Sequence, residues 1–359
     1  MKRTVVPLIL PVVRKWPAAS AVNTTVAGPL PDGCDATFWP TRNTRFLPST
    51  SRVAVSPSTE TTFTPSLVVD PTATMQSVHA FCLTGGSAYG LAAAGGVMAH
   101  LESRQVGFRV GSAAGDVVPL VPTAVIFDLG RGGVFANRPD ESFGRKAAAA
   151  ARATACAQGA VGAGTGARSR GLQGGVGTAS VTLPNGTVVA ALAVVNSAGS
   201  VIDPATGLPW MAGGRRLRRP AAADRATLAA HLSSVVPPLN TTIGVVATTA
   251  ALSKAECAKF AAVAHDGLAR AVRPVHSTLD GDSIFSVATG RDDLGSMDDT
   301  AAAGEPPRRA RVAWLNAVLE AGAVCFAQAC TNAIVEARSS ADGAPAYRDL
   351  CPSAFPAGV

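Results

Sequence analysis

Aromatic and charged residues are scarce in this chain of 359 residues, at 5% and 15% of the total. The apolar fraction of 47% still excludes wholesale disorder and suits a tightly packed globule of one or two domains. Part of the net charge of +7 lies in two arginine runs, residues 215–219 and 308–311. Because no aromatic residues alternate with these arginines, as a groove for single-stranded nucleic acid requires, no nucleic-acid partner is predicted.

The cysteines and histidines lack the spacing of a disulfide framework or a metal site. Seven cysteines are widely scattered, no two have C-x-x-C spacing, and the five histidines do not cluster. We therefore predict no metal and no other cofactor.

Long apolar runs are also missing. No run is long enough to cross a membrane, so the prediction is a cytoplasmic protein without a membrane partner. Residues 1–13 faintly resemble a signal peptide, but their apolar part is short, contains two prolines and is closed by Arg14 and Lys15. Export is the alternative.

Two glycine-rich segments are prominent. Residues 84–90 (TGGSAYG) follow an apolar run and precede a helix of small residues, so the backbone N–H groups of Gly85 and Gly86 are candidates to bind a negative group. A tight turn is the simpler interpretation. Residues 162–167 (GAGTGA) are not a phosphate loop, because no Gly-Lys-Ser/Thr follows them.

The remaining pattern predicts mixed α/β layers. Strands are expected near residues 77–83, 124–129, 179–183, 188–195, 243–249 and 284–288, and helices near 141–156, 221–233 and 312–336. The sequence Ser253-Lys254-Ala255-Glu256 is a capping box, which predicts a helix start. Strands and helices alternate on both sides of residue 240, which favours layered α/β architecture.

The junction Asn240-Thr241 is the strongest candidate for chemistry. It lies between a long polar connection, residues 203–238, and the strand predicted from residue 243. A threonine that becomes a chain terminus is a complete nucleophile and base, since its hydroxyl attacks while its own α-amine accepts the proton. The same three residues occur at Asn23, so the tripeptide alone does not decide the matter.

Five motifs in order resemble the L-aminopeptidase/D-esterase family, which includes the β-peptidyl aminopeptidases and the nylon-oligomer endo-hydrolases. They are residues 83–91 (LTGGSAYGL), 162–166 (GAGTG), 240–243 (NTTI), 264–270 (AHDGLAR) and 280–282 (DGD). The resemblance runs from about Asp70 to the C-terminus. A threonine followed by the aspartate pair is most similar to the nylon-oligomer hydrolase branch.

The resemblance implies an αββα sandwich and an inactive precursor that cleaves itself between Asn240 and Thr241. The two resulting chains are then residues 1–240 and 241–359. Residues 70–240 and 241–359 form one hydrolase domain, and residues 1–69 are an atypical segment, poorly ordered or aberrant. The expected substrates are small amides or peptides, and the expected assembly is a homo-oligomer, with a tetramer as one candidate.

The resemblance also assigns roles to individual residues. Thr241 is the nucleophile, Asp280 and Asp282 orient it and transfer protons, and Asn196 donates to the oxyanion. Because the family usually has a lysine after the GAGTGA loop, Arg170 is the expected substitute for it. Substrate contacts are expected from Tyr89, Gly85 and Gly86.

Two alternatives remain open from the sequence. One is acyl transfer of the ornithine acetyltransferase type, which shares the fold and the threonine nucleophile. The other is an inactive family remnant, suggested by Arg170 and by the unusual first 69 residues.

Overall fold

The computed structural model describes residues 8–11, 52–57, 70, 74–131, 134–151, 155–212, 217–235, 239–278, 280–292, 307–339 and 344–356. Its larger sheet has five strands in the order β2-β12-β11-β10-β9. These strands are β2 (Arg52–Pro57), β9 (Gly175–Thr182), β10 (Val188–Val195), β11 (Ile243–Ala250) and β12 (Ser283–Asp292). All neighbours are antiparallel except β11 and β12, which are parallel.

The second sheet has three strands in the order β1-β3-β6, namely β1 (Leu8–Pro11), β3 (Ala80–Thr84) and β6 (Thr123–Val125). The strands β3 and β6 are parallel, and β1 is antiparallel to β3. Two small hairpins complete the strands: β4 (Phe108–Arg109) with β5 (Val117–Val118), and β7 (Arg168–Ser169) with β8 (Leu172–Gln173).

Helices cover the outer face of each sheet. The helices α1 (Ala93–Glu102) and α2 (Glu141–Ala150) pack on the three-stranded sheet. The helices α4 (Lys254–Ala271) and α5 (Pro307–Val335) pack on the five-stranded sheet. Two further helices, α3 (Ala222–Ser234) and α6 (Tyr347–Leu350), contact each other beside this core. The order of layers is helix, sheet, sheet, helix, so the predicted αββα sandwich is confirmed.

Alternation along the strands explains why both faces of the large sheet are buried. In β10, Leu192 and Val194 point between the two sheets, whereas Val189 and Ala193 point towards α4 and α5. Successive side chains of a strand leave opposite faces, so an unbroken apolar run supplies two cores at once. The strand reads as continuously apolar for that reason.

The outer helices begin and pack as the sequence predicts. Ser253 caps α4 by accepting from the Glu256 backbone N–H, while the Glu256 side chain accepts from the Ser253 backbone N–H. A Cβ on Gly267 of α4 would lie 2.1 Å from the Ala323 carbonyl oxygen of α5, so only glycine allows the two helices to approach this closely.

Contrary to the expectation that no apolar run is long enough, the helix α5 is long and apolar enough over Arg311–Val335 to cross a membrane. However, 83% of its most apolar stretch is buried inside the fold. A mostly buried helix of this composition is what the core of a layered globule requires.

Several predicted boundaries differ from the structure. The strand expected over residues 124–129 stops at Val125, because residues 126–131 leave the sheet to contact the strand ends of the other sheet. The helix expected to reach residue 156 ends at Ala150. Within the segment 1–69, β1 and β2 are edge strands of the two sheets, and the other residues of that segment lie outside the described residues.

Candidate active site

The predicted site residues meet at one end of the sandwich because of the strand directions. Asn196 follows the end of β10, Thr241 precedes β11, and Asp280 and Asp282 precede β12. The register pairs Val194 with Ile243 in antiparallel fashion, and Ile243 with Ser283 in parallel fashion. The end of β10 therefore lies beside the starts of β11 and β12.

Thr241 is poised against the peptide bond that precedes it. Its Oγ1 lies 2.5 Å from the carbonyl oxygen of Asn240, and its backbone N–H donates to the carbonyl oxygen of Asn196 at 2.8 Å. The backbone N–H of Gly281 donates to the same Asn240 carbonyl oxygen at 3.2 Å. Thus the Asn240 carbonyl already has a hydrogen-bond donor from the protein and a hydroxyl beside it.

Both predicted aspartates hold the loop that carries Gly281. Asp280 Oδ1 accepts from the Ala198 N–H at 3.0 Å, and Oδ2 accepts from the Ser277 hydroxyl at 2.7 Å. Asp282 is buried, and its Oδ1 accepts from the Thr242 N–H at 2.8 Å. Asp282 therefore fixes the backbone directly after Thr241, whereas Asp280 ties the Gly281 loop to the segment that follows Asn196.

His276 is a site residue that the sequence did not reveal. Its Nδ1 lies 2.9 Å from Asp282 Oδ2, and this hydrogen bond is the main cause of its raised pKa. Its ring also packs on that of His265, with 5.0 Å between the centroids. His276 thus links α4 to the aspartate that holds Thr242.

The raised pKa of His276 predicts a pH-dependent stability. The charged His276–Asp282 pair stabilises the fold fully below the ordinary histidine pKa of about 6.5, and the contribution is lost as pH rises through the raised folded value. We expect the free energy of unfolding of the parent to exceed that of His276→Asn most at about pH 6, with the difference shrinking towards about pH 9. Urea unfolding of both proteins in a Thr241→Ala background, which keeps one uncut chain, measures it. A pH-independent difference would contradict this role.

Asn196 is fully buried and connects three segments. Its Nδ2 donates to the Phe127 carbonyl oxygen at 3.1 Å, and its Oδ1 accepts from the Arg168 backbone N–H at 3.0 Å and from the Arg131 guanidinium. Its contact with Thr241 is through the main chain. In this uncut state the donors on the Asn240 carbonyl oxygen are the Gly281 N–H and the Thr241 hydroxyl rather than the Asn196 side chain.

Arg131 is the second site residue that the sequence analysis missed. Its guanidinium donates to Asn196 Oδ1, to Asn240 Oδ1 at 2.6 Å and to the Leu239 carbonyl oxygen. Burial lowers its pKa to about 10, against the favourable charge of Asp128, so it remains a cation at neutral pH. The signal available in the sequence was its position shortly after a predicted strand, since polar residues there lie at a sheet edge.

The structure does not bring Arg170 into this cluster. Arg170 occupies the turn between β7 and β8 with a left-handed φ of 47°, and its Nε donates to the Leu232 carbonyl oxygen of α3. Arg168, two residues earlier, lies beside the site instead. Its backbone N–H donates to Asn196 Oδ1, and its guanidinium donates to the Arg131 carbonyl oxygen at 2.7 Å. Arg168 is therefore the arginine of this loop that is placed to supply positive charge.

The glycine pair holds a carboxylate of the protein itself. The Gly86 N–H donates to Asp128 Oδ1 at 2.7 Å, and a Cβ on Gly85 or Gly166 would lie 2.6 or 2.5 Å from Asp128 Oδ2. Burial raises the pKa of Asp128, and the Gly86 hydrogen bond opposes that rise. The predicted negative group at this turn is thus Asp128, which the two glycine loops enclose.

Tyr89 lies on the surface after the glycine turn. Its side chain is 57% exposed, and the Arg138 guanidinium stacks over the ring at 3.8 Å. Substrate contact from Tyr89 stays a prediction. Among the described residues, no group of three or more His, Cys, Asp or Glu side chains is arranged to hold a metal ion.

The comparison with family models identifies the family of this chain. Residues 53–344 match the model described as peptidase family S58. The chain belongs to this family. The match begins at residue 53, before the Asp70 boundary that the motifs indicated. As a member of peptidase family S58, the chain is a hydrolase of amide or peptide bonds.

Curated relatives carry two kinds of name. An uncharacterised aminopeptidase of Mycobacterium tuberculosis (strain ATCC 25618 / H37Rv) is 48% identical over 294 residues, which are 80% of this chain and 83% of the relative. A 6-aminohexanoate-oligomer endohydrolase of Kocuria sp. (strain KY2) is 33% identical over 225 residues, which are 60% of this chain and 62% of the relative.

Solved structures show the same fold at low identity. The L-aminopeptidase D-Ala-esterase/amidase of Ochrobactrum anthropi, described as a variant of the Ntn-hydrolase fold, matches with a TM-score of 0.55 and 19% identity over 84% of this chain and 79% of that one. A β-aminopeptidase of Burkholderia sp. matches with a TM-score of 0.54 and 22% identity over 84% and 78%. At these identities the likeness shows the fold alone.

Proposed function

We propose that the chain cleaves itself between Asn240 and Thr241, and that Thr241 then hydrolyses small amides or peptides as an N-terminal nucleophile. The observation that carries the proposal is the position of Thr241 Oγ1, 2.5 Å from the Asn240 carbonyl oxygen, with the Gly281 N–H on that oxygen. A hydroxyl and an oxyanion donor at one carbonyl are the two requirements of acyl transfer.

Self-cleavage proceeds in two balanced steps. Thr241 Oγ1 attacks the Asn240 carbonyl carbon, the hydroxyl proton passes to the Thr241 nitrogen, and the C–N bond breaks to leave an ester. Water then hydrolyses the ester, giving the Asn240 carboxylate and a free Thr241 with its α-amine. The Gly281 N–H stabilises the negative oxygen in both steps.

Turnover uses the same atoms with a substrate carbonyl in place of Asn240. The new α-amine, with an ordinary pKa of about 7.7–8.0, accepts the hydroxyl proton near neutral pH. The Asn196 carbonyl oxygen, which accepts the Thr241 N–H in the uncut chain, orients that amine. Asp280 and Asp282 are positioning residues, because Asp282 holds the backbone directly after the nucleophile and Asp280 holds the loop that carries Gly281.

The N-terminal residue of the smaller fragment tests the proposal. We expect purified protein to contain two chains, residues 1–240 and 241–359, and the second to begin at Thr241. Release of free amine from an amide without added acceptor then indicates hydrolysis and excludes obligatory acyl transfer. An uncut chain in both fresh and aged protein would overturn the proposal.

A side chain at Gly281 is expected to slow self-cleavage. A Cβ there would lie 3.1 Å from Thr241 Oγ1, tighter than most real Cβ contacts, and would displace the nucleophile or the Gly281 N–H. We expect Gly281→Ala to lower the rate of fragment appearance by about tenfold or more, since small misplacements of reacting groups are costly. A gel time course against wild type measures the rate, and Gly115→Ala in the loop between β4 and β5, where a Cβ would meet no atom within 4 Å, is the control. An unchanged rate in Gly281→Ala would show that the close approach of residue 281 to Thr241 Oγ1 does not control self-cleavage.

Assembly and location complete the proposal. We propose a homo-oligomer of processed units, with a tetramer as one candidate, in the cytoplasm. None of the six described cysteines forms a disulfide, which suits a reducing compartment. Light scattering of the processed protein gives the oligomer number.

A further inference from the structure

We propose that the acyl side of this site selects substrates with a hydrogen-bond-accepting oxygen, either an amide carbonyl or a carboxylate, and disfavours a free α-ammonium group. The inference rests on the proposed function and adds a substrate class to it. The assigned selectivity residue is Arg131.

The uncut chain shows where the acyl half of a substrate lies. During self-cleavage the Asn240 acyl group becomes esterified to Thr241 Oγ1. During turnover the acyl half of the substrate becomes esterified to the same atom. The two intermediates differ only in what the acyl group carries, so the surroundings of Leu239 and Asn240 outline the site that receives the acyl half.

Arg131 donates hydrogen bonds to oxygen atoms in that region. It donates to the carbonyl oxygen of Leu239, one residue before the scissile bond, and to Oδ1 in the Asn240 side chain. After cleavage and departure of this segment, the same N–H groups face the bound acyl half. Amide carbonyls and carboxylates are the groups that accept hydrogen bonds from a half-buried guanidinium such as that of Arg131.

The charges nearby oppose an ammonium group in the same place. A second arginine, Arg168, donates to the main chain of Arg131. The carboxylate of Asp128, whose negative charge acts on Arg131, is enclosed by the glycine loops and accepts a hydrogen bond from the Gly86 N–H. Asp280 and Asp282 are engaged by Ser277, Ala198, Thr242 and His276. The ammonium group of a peptide N-terminus would therefore lie beside the positive charges of the two arginines. The three carboxylates named above would not be available to pair with it, because each already has other partners.

This arrangement favours cleavage of amide bonds inside an oligomer and of amide bonds in N-acylated compounds. In both, the acyl half carries a neutral amide whose carbonyl can take the position of the Leu239 carbonyl. Removal of an unmodified N-terminal residue is the reaction that the arrangement disfavours.

Three anilides of one amino acid test the selectivity in the self-processed wild-type enzyme. They are alanine p-nitroanilide with a free amine, its N-acetyl derivative and its N-succinyl derivative, which adds a carboxylate. We expect kcat/KM for both acylated substrates to exceed that for the free amine by about tenfold or more. A preference for the free amine, or no hydrolysis of the acylated pair by a processed enzyme, would overturn the inference.

Arg131→Met assigns the effect, with Arg225→Met as the matched control. Arg225 is also half-buried and donates to a main-chain carbonyl, that of Pro220, but lies at α3. We expect the preference for acylated substrates to shrink in Arg131→Met and to persist in Arg225→Met. A preference that persists in both would exclude Arg131 as the selecting residue. If Arg131→Met is not processed, Arg131→Lys replaces it, with loss of the amide preference expected because a point charge lacks the paired donors.

Different results contradict the proposed function and the proposed selectivity. An enzyme that never yields Thr241 as a terminus contradicts the proposed function itself. An enzyme that is processed and prefers the free amine contradicts only the selectivity.

Discussion

Thr241→Ala is expected to leave a single uncut chain and to abolish amide hydrolysis. The substitution removes the atom that attacks Asn240 and, with it, the step that creates the α-amine base. Loss of a nucleophile that acts together with its base costs about 10⁴-fold or more in rate. A denaturing gel and an assay of released amine measure the two losses on the same preparation.

The neighbouring residue provides the control. Among the described side chains, the Thr242 hydroxyl is buried and has no hydrogen-bond partner. Thr242→Val is therefore expected to retain cleavage and activity, with a free energy of unfolding that is unchanged or higher by about 1 kcal/mol. Cleavage in Thr241→Ala, or its loss in Thr242→Val with the fold intact, would show that the junction works differently.

Thr241→Ser refines the test. Serine keeps the hydroxyl and the future α-amine but loses the methyl group that restricts the side-chain rotamer. We expect it to be processed and active, because the two reacting groups are retained. An inert Thr241→Ser with a native fold would indicate that the methyl group sets the position of Oγ1.

Asn196→Ala is expected to lower kcat by about 10²-fold, because small misplacements of reacting groups cost about this much and the Asn196 side chain fixes the strand end whose carbonyl oxygen accepts from Thr241. The side chain joins Phe127, Arg168 and Arg131, so its removal frees the two groups that outline the acyl side. It also leaves buried partners unsatisfied, which costs about 1–3 kcal/mol of stability. Steady-state kinetics and urea unfolding separate the two effects.

Two further variants sharpen this result. Asn196→Asp keeps the oxygen that accepts from Arg168 and Arg131 but loses the Nδ2 that donates to the Phe127 carbonyl, so a large loss of kcat there assigns the effect to that hydrogen bond. Asn185→Ala lies in the turn at the opposite end of the β9–β10 hairpin and is expected to leave kcat unchanged. Wild-type kcat in Asn196→Ala would remove Asn196 from the mechanism.

Local patterns in the sequence predicted the layers well. The continuous apolar run of β10 and the capping box of α4 act over a few residues, where alternation and capping have direct physical causes. Membership of peptidase family S58 was reached from five motifs in order, and the family match confirms it. Boundaries were less accurate: the strand ending at Val125 was predicted too long because contacts with another sheet redirect the chain after it.

The sequence by itself determined the fold class, through the alternation of strands and helices along the chain. It also predicted the junction at Asn240-Thr241 and the aspartate pair as site residues, because each is a short motif of adjacent residues. Only the tertiary structure decided which distant groups meet there. Arg131 contacts Asn240 across 109 positions of sequence, and Gly281 reaches the Asn240 carbonyl because β11 and β12 start side by side. The choice of Arg168 over Arg170 depended on a left-handed turn that directs the second arginine towards α3. Such contacts are set by how strand ends converge, which no local pattern encodes.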